Sequence, residues 1–193
     1  MTSKTPFTGD EAADQLLSTD GFALLIGMLL DQQVPMEWAF RGPLELKLRL
    51  AELNAAEIAA MDPEAVVEVF VAKPALHRYP ASMARRVHDL AAFIVERYDG
   101  QAERIWKTAQ TAEELFGRLR ELPGYGEQKA KIFLAILGKR LGAAPPGWEA
   151  LAGAYGEPGH RSIADVDGPG AVDKVRAYKQ QMKAQAKAKT KTR

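Results

Sequence analysis

Residues 122–130 (LPGYGEQKA) have the composition and order of a phosphate seat. Pro123 lacks an amide donor and clashes with the preceding turn, so it ends whatever helix runs into it. Gly124 and Gly126 put no side chain between the backbone and a neighbour, and glycine tolerates positive φ. A helical pattern then starts at Glu127. A helix that begins there presents amides without intrahelical partners, together with the positive pole of its macrodipole, and an anion suits such an end. The same residues also serve a plain tight turn between two helices, because Gly and Pro punctuate most turns. The rest of the chain has to decide between the two uses.

Such a loop needs a helix on each side. Thr111-Ala112-Glu113-Glu114 spells a capping box for a helix over residues 112–120, and residues 127–141 carry the outgoing helix. Upstream, residues 1–9 read as a disordered or loosely docked arm, and residues 10–17 as a short helix. Residues 21–33 (GFALLIGMLLDQQ) are apolar on nearly every side, which predicts a buried helix at the centre of the core. Pro35 and Gly42-Pro43 predict breaks on either side of a helical segment at 36–40. Residues 44–50 alternate with period two like a strand, but a lone strand has no partner here, so helix is expected.

Asn54 to Glu57 is another capping box, and Asp62-Pro63-Glu64 starts a helix that runs to about Val71 and is ended by Lys73-Pro74. Residues 80–98 are amphipathic, with Met83, Val87, Leu90, Ala91 and Ile94 on one face and Asp99-Gly100 as the stop. Ile105-Trp106 anchors a loop. After the hairpin come a helical piece at 149–154, helix starts at Ser162 and Asp167, and a last helix from about Gly170 to Met182 that dissolves into an Ala/Lys tail. The expected fold is all-α. One helical domain at 10–178, with its hairpin at 122–130, lies between the arm and a basic tail at 179–193.

Charge is unevenly spread. Residues 1–76 hold five Lys/Arg against twelve Asp/Glu, and residues 77–140 hold twelve against eight. Residues 174–193 hold eight basic residues and no acid. Positive charge therefore gathers at the hairpin region and the C-terminus, as in a modest nucleic-acid footprint; ordinary solvated helix faces give the same count. The chain has no cysteine, which excludes disulfides, Cys-ligated zinc and a cysteine-held iron–sulfur cluster. His77, His88 and His160 are too scattered to spell a metal site. No apolar run has the length of a membrane span and the N-terminus lacks a signal-peptide core, so a soluble cytoplasmic protein is expected.

Leu-Pro-Gly-x-Gly followed by x-x-x-Ala and an apolar helix resembles the hairpin of the helix-hairpin-helix (HhH-GPD) DNA glycosylases, the endonuclease III and MutY class. The order of elements extends the resemblance over most of residues 20–140. It implies base excision repair on double-stranded DNA, with Gly124, Tyr125, Gly126 and Lys129 at the DNA backbone. It also implies no cofactor beyond a monovalent cation held by hairpin carbonyls. Gln33 stands where the family places a glutamine that enters the base stack and fills the gap left by a flipped nucleotide.

Bifunctional members carry a lysine that forms an imine with the sugar. The matching position here is Gln128, and Lys129 lies one residue on, about 100° around a helix. The resemblance therefore implies a monofunctional N-glycosylase without lyase activity. The family's aspartate, which stabilises the sugar cation or activates water, has no clean match. Asp167 and Asp165 are the first candidates and Glu149 the third, though Asp165 and Asp167 also stand where helix N-caps belong. The alternatives are a non-catalytic DNA-binding protein on the same scaffold and a helical protein-interaction module working through its acidic N-terminal third.

Overall fold

A computed structural model describes residues 4–191, with side chains as far as residue 187, and every regular element among them is helical. Side-chain caps set the first boundaries. α1 (Glu11–Thr19) begins where the Asp10 carboxylate accepts the Ala13 amide. α2 (Gly21–Leu30) begins directly after it, with Asp20 accepting the Ala23 amide. All ten residues of α2 are buried, and each large apolar side chain contributes about 2 kcal/mol on burial. This helix is the axis of the core.

α3 (Met36–Leu50) packs along α2. α4 (Ala55–Ala60) and α5 (Pro63–Val71), capped by Asn54 and Asp62, pack on α6 (Pro80–Tyr98). α7 (Arg104–Lys107) is short and buries Ile105 and Trp106. α8 (Ala112–Glu121), capped by Thr111, and α9 (Glu127–Ile136) form the pair that flanks the hairpin. α9 also touches α2, so the hairpin is docked on the core axis. A π-helical turn (Leu137–Leu141) follows, then α10 (Trp148–Ala152), 3₁₀ turns at Gly153–Tyr155 and Ile163–Asp165, and α11 (Ala171–Lys191).

Four expectations need correcting. α2 stops at Leu30 rather than Gln33, because Asp31 leaves helical angles (φ −72, ψ 71) and Gln33 turns left-handed (φ 57). Gly42-Pro43 does not break α3. Gly42 is a close-approach residue whose Cβ would stand 2.6 Å from Leu30 Cδ1. Pro43 forfeits one helical bond inside a helix that packing on α2 sustains. The N-terminal arm is firmly docked from Thr5 onward: Phe7 is fully buried edge-on to Phe40 at 5.2 Å. The Asp14 carboxylate accepts the Phe7 and Thr8 amides at 3.0 and 2.8 Å. Residues 1–3 of the expected arm lie outside the described residues. Finally, α11 does not dissolve near Met182 but continues to Lys191, as its Ala, Lys and Gln content favours.

Among the described residues no single helix is long and apolar enough to cross a membrane. The joint run of α1 and α2 is bent by 115°, and α2 is wholly enclosed by protein.

Candidate nucleic-acid interface

The hairpin is held by one residue and left open by another. Gly124 has φ +78, and a Cβ there would stand 2.4 Å from Leu29 Cδ1, so both conformation and space require glycine. Tyr125 points inward. It is 5% exposed, its hydroxyl donates to the Leu25 carbonyl at 2.8 Å, and its ring meets Phe133 edge-on at 5.9 Å. Burial pushes its phenol well above the usual range. The Tyr125 side chain is thus a bolt into α2 and not a DNA contact, which corrects the expectation for it.

Gly126, in contrast, is exposed, and a Cβ there would meet nothing within 4 Å. It is the N-cap of α9, no side chain caps that first turn, and the first intrahelical bond runs from the Ala130 amide to the Gly126 carbonyl at 3.0 Å. The amides of Glu127, Gln128 and Lys129 therefore have no helical acceptor. The monovalent cation implied by the resemblance would rest on carbonyls alone. The Leu122 carbonyl accepts the Tyr125 amide at 3.0 Å and keeps a second lone pair for such an ion.

The offset of Lys129 has a definite destination. Its ammonium turns away from the open turn and donates to the carbonyls of Met28, Leu29 (2.9 Å) and Asp31 (3.3 Å). That corrects the expectation of a phosphate contact. Burial pushes this ammonium down to about 8; the Asp31 charge opposes the shift, and Arg86 and Lys179 add to it. Gln128 stays at the surface and donates to the Tyr155 hydroxyl at 2.9 Å. Lys131 pairs with Glu127 at 2.6 Å.

The same end of α2 receives a second buried donor. His77 accepts the Tyr79 amide on Nδ1 (3.0 Å), so its proton sits on Nε2 and is shared between the Leu30 and Gln32 carbonyls, each at 3.1 Å. Burial lowers its pKa, which keeps the ring neutral. Gln32 Nε2 donates to the Leu29 carbonyl at 2.8 Å, and Arg86 donates to Gln32 Oε1 at 3.1 Å. Every carbonyl from Met28 to Gln32 thus has a donor.

Gln33 emerges from this frame exposed, with Oε1 accepting the Tyr79 hydroxyl at 3.2 Å. Tyr79 is 42% exposed, and the Arg78 guanidinium lies over its ring at 5.5 Å.

Within this basic surround lies the Asp31 carboxylate, with Glu37 in electrostatic reach of it. Asp31 is half-buried, and its side-chain oxygens accept no hydrogen bond among the described residues; only the main-chain carbonyl does, from Lys129. Burial raises its pKa; Lys179 and Lys129 pull it down, and Glu37 pushes it further up. Glu37 itself binds Arg176 at 2.5 Å through Oε1, while its Oε2 is buried without a partner. Lys179 approaches Met36 Sδ at 3.2 Å. A cleft beside these residues is lined by Thr8, Glu37, Trp38, Arg41, Glu45 and Leu76.

Of the expected catalytic carboxylates, one is fully engaged and two are exposed. Both oxygens of Asp165 are engaged: Oδ1 by Lys139 at 2.6 Å, Oδ2 by the Arg161 and Ser162 amides at 2.8 and 3.1 Å. Its side chain is 4% exposed and closes a capping box. Lys139 is ten residues beyond Lys129, about 15 Å along the helix axis. Asp167 is exposed between that capping box and α11, and Glu149 is exposed in the first turn of α10. Sequence reasoning missed Asp31, Tyr79 and His77 as members of the site. Only Tyr79 left a signal, as an aromatic residue directly before the proline that opens α6.

Among the described residues no group of three or more His, Asp or Glu side chains is placed to hold a metal ion. No protein-family model, curated protein or solved structure matches the chain significantly.

Proposed function

We propose that this protein grips duplex DNA through the α8–α9 hairpin and excises a damaged or mispaired base, as a monofunctional N-glycosylase of the HhH-GPD type. One juxtaposition carries the reading. The uncapped amide end of α9 and the half-buried Asp31, whose side chain accepts no hydrogen bond among the described residues, both lie at the end of α2, and the Lys129 side chain reaches from α9 to the Asp31 main-chain carbonyl. The amides suit a phosphate. Gln33, backed by the Tyr79 hydroxyl, fills the gap that a flipped nucleotide leaves. Arg78, Arg86, Lys129 and Lys179 give the surroundings the sign a DNA strand requires.

In the reaction, water adds to the sugar carbon as the N-glycosidic bond breaks. The bonding pair leaves with the base nitrogen, and the water proton passes to the carboxylate that faced the sugar cation. Gln128 cannot form an imine, so water is the nucleophile and the strand stays uncut.

The test is base release from duplexes carrying uracil, alkylated bases, oxidised bases or mispairs, run with parent, Asp31→Asn and Asp167→Asn. Release without strand cleavage, lost in Asp31→Asn and kept in Asp167→Asn, supports the reading. Tight duplex binding with no release from any substrate removes the enzyme and leaves the DNA-binding alternative. Loss confined to Asp167→Asn moves the chemistry to α11.

A further inference from the structure

α11 carries a feature that excision does not use. After Asp173 the chain has no acidic residue, while Arg176, Lys179, Lys183 and Lys187 recur at intervals of three and four. On a helix these positions fall on one face. Ala171 and Val175 are buried, but every residue from 180 to 187 is exposed, so beyond its second turn the helix runs clear of the core. The row starts at the candidate site: Arg176 is tied to Glu37 and Asp173, and Lys179 lies against Met36 within electrostatic reach of Asp31 and Lys129. Lys183 and Lys187 continue it outward, unpaired with any acid among the described residues. Lys174 lies on the opposite side, half a turn away from Lys183.

We infer that this row is a second phosphate contact. The free part of α11 lies along the backbone of duplex DNA and extends the footprint past the hairpin by about 12 Å, the rise from Lys179 to Lys187. This rests on the DNA-binding reading of the hairpin. It needs no base contact, so it adds affinity without sequence preference. Charge complementarity and continuity with the hairpin site select the partner: a row of cations on a projecting rod, starting where the strand is already held.

The experiment is titration of an undamaged duplex at several salt concentrations, comparing the parent chain with Lys183→Gln/Lys187→Gln, the same pair changed to Arg, and Lys174→Gln. The double Gln variant is expected to lower the slope of log affinity against log salt by about 2 and weaken low-salt binding roughly tenfold. The Arg pair should restore both, and Lys174→Gln should leave both at the parent value. A double Gln variant with the parent slope overturns the inference, as does an equal loss from Lys174→Gln. A parent chain that binds no duplex at any salt overturns the hairpin reading itself, whereas a parent that binds with an indifferent row overturns only this one.

Discussion

The C-terminus of α2 and the N-terminus of α9 face each other, and the protein treats them oppositely. At the end of α2 each carbonyl from Met28 to Gln32 has found a donor: the half-buried Lys129 serves Met28, Leu29 and Asp31, and the buried His77 serves Leu30 and Gln32. At the start of α9 the first-turn amides have no capping side chain, and glycine keeps their approach clear. Side-chain caps from Asp, Asn or Thr satisfy such amides at α1, α2, α4, α5 and α8, whereas α3, α6, α7 and α10 share with α9 a first turn without one. One end is therefore a fixed frame and the other an unused binding capacity. The Lys129 side chain joins them, because it springs from the open turn and ends in the saturated one.

Four substitutions test that contrast. The largest effect is expected from Asp31→Asn, at the residue that closes α2. Base release should fall by roughly 10²–10⁴-fold in a single-turnover assay, the range for a positioned acid or base. Stability should not fall with it. Burial raises the Asp31 pKa, so its favourable contribution is complete below the ordinary carboxylate value and is lost as pH rises through the raised one. At neutral pH the parent thus carries a penalty that asparagine lacks. A variant that loses activity and melts early would make Asp31 a scaffold residue.

Gly124→Ala strikes the fixed side. Positive φ and the clash with Leu29 together should cost about 3 kcal/mol in chemical denaturation. An unchanged midpoint would mean that Leu29 yields freely and the hairpin is not docked.

Lys129→Ala should cost about 2 kcal/mol through the carbonyls it uncovers, and the cost depends on pH. The folded ammonium titrates near 8 against an ordinary 10.5. Between those values the unfolded chain holds a proton that the folded chain has released, so parent stability rises with pH across that window. The difference between parent and variant should widen from pH 7 to pH 10; denaturation at both values measures it, and a constant gap would place the ammonium in solvent.

Gly126→Ala is the mirror of Gly124→Ala. With an open site at φ −83, stability should stay within about 1 kcal/mol of the parent. Duplex affinity should nevertheless drop roughly tenfold, the methyl standing where a phosphate must come. Full affinity in that variant would separate the open amides from nucleic acid.

Local rules carried the fold a long way. The caps at Asn54, Asp62 and Thr111 are spelled in the chain and start α4, α5 and α8, and the apolar stripe of residues 80–98 gives both ends of α6. Prolines misled where tertiary contact outweighs them: α3 survives Pro43 because Gly42 lets it press on Leu30. The arm was misread because its order depends on Phe40 and Asp14, partners that no local pattern names.

The site was legible by halves. The glycine spacing marked the open turn, and helical rotation showed that Lys129 must point away from the Gln128 direction. Its acceptors lie a hundred residues earlier in the chain, so its role was not readable. Asp31 looked like the tail of an apolar helix. What distinguishes it is burial together with the charges of Lys179, Lys129 and Glu37 from α11, α9 and α3, a property of the assembled molecule.

Leu29 beneath Gly124 has a further consequence. That contact and the Lys129 tether join the open amides and the Gln33 turn into one block, so the distance between them is set by packing and by one side chain. A strand laid across the block meets both points at a preset interval. A polymer whose sugar–phosphate repeat is longer or shorter can satisfy one of them only. On the proposed DNA-binding reading, that interval makes the block a gauge of backbone pitch as well as a grip.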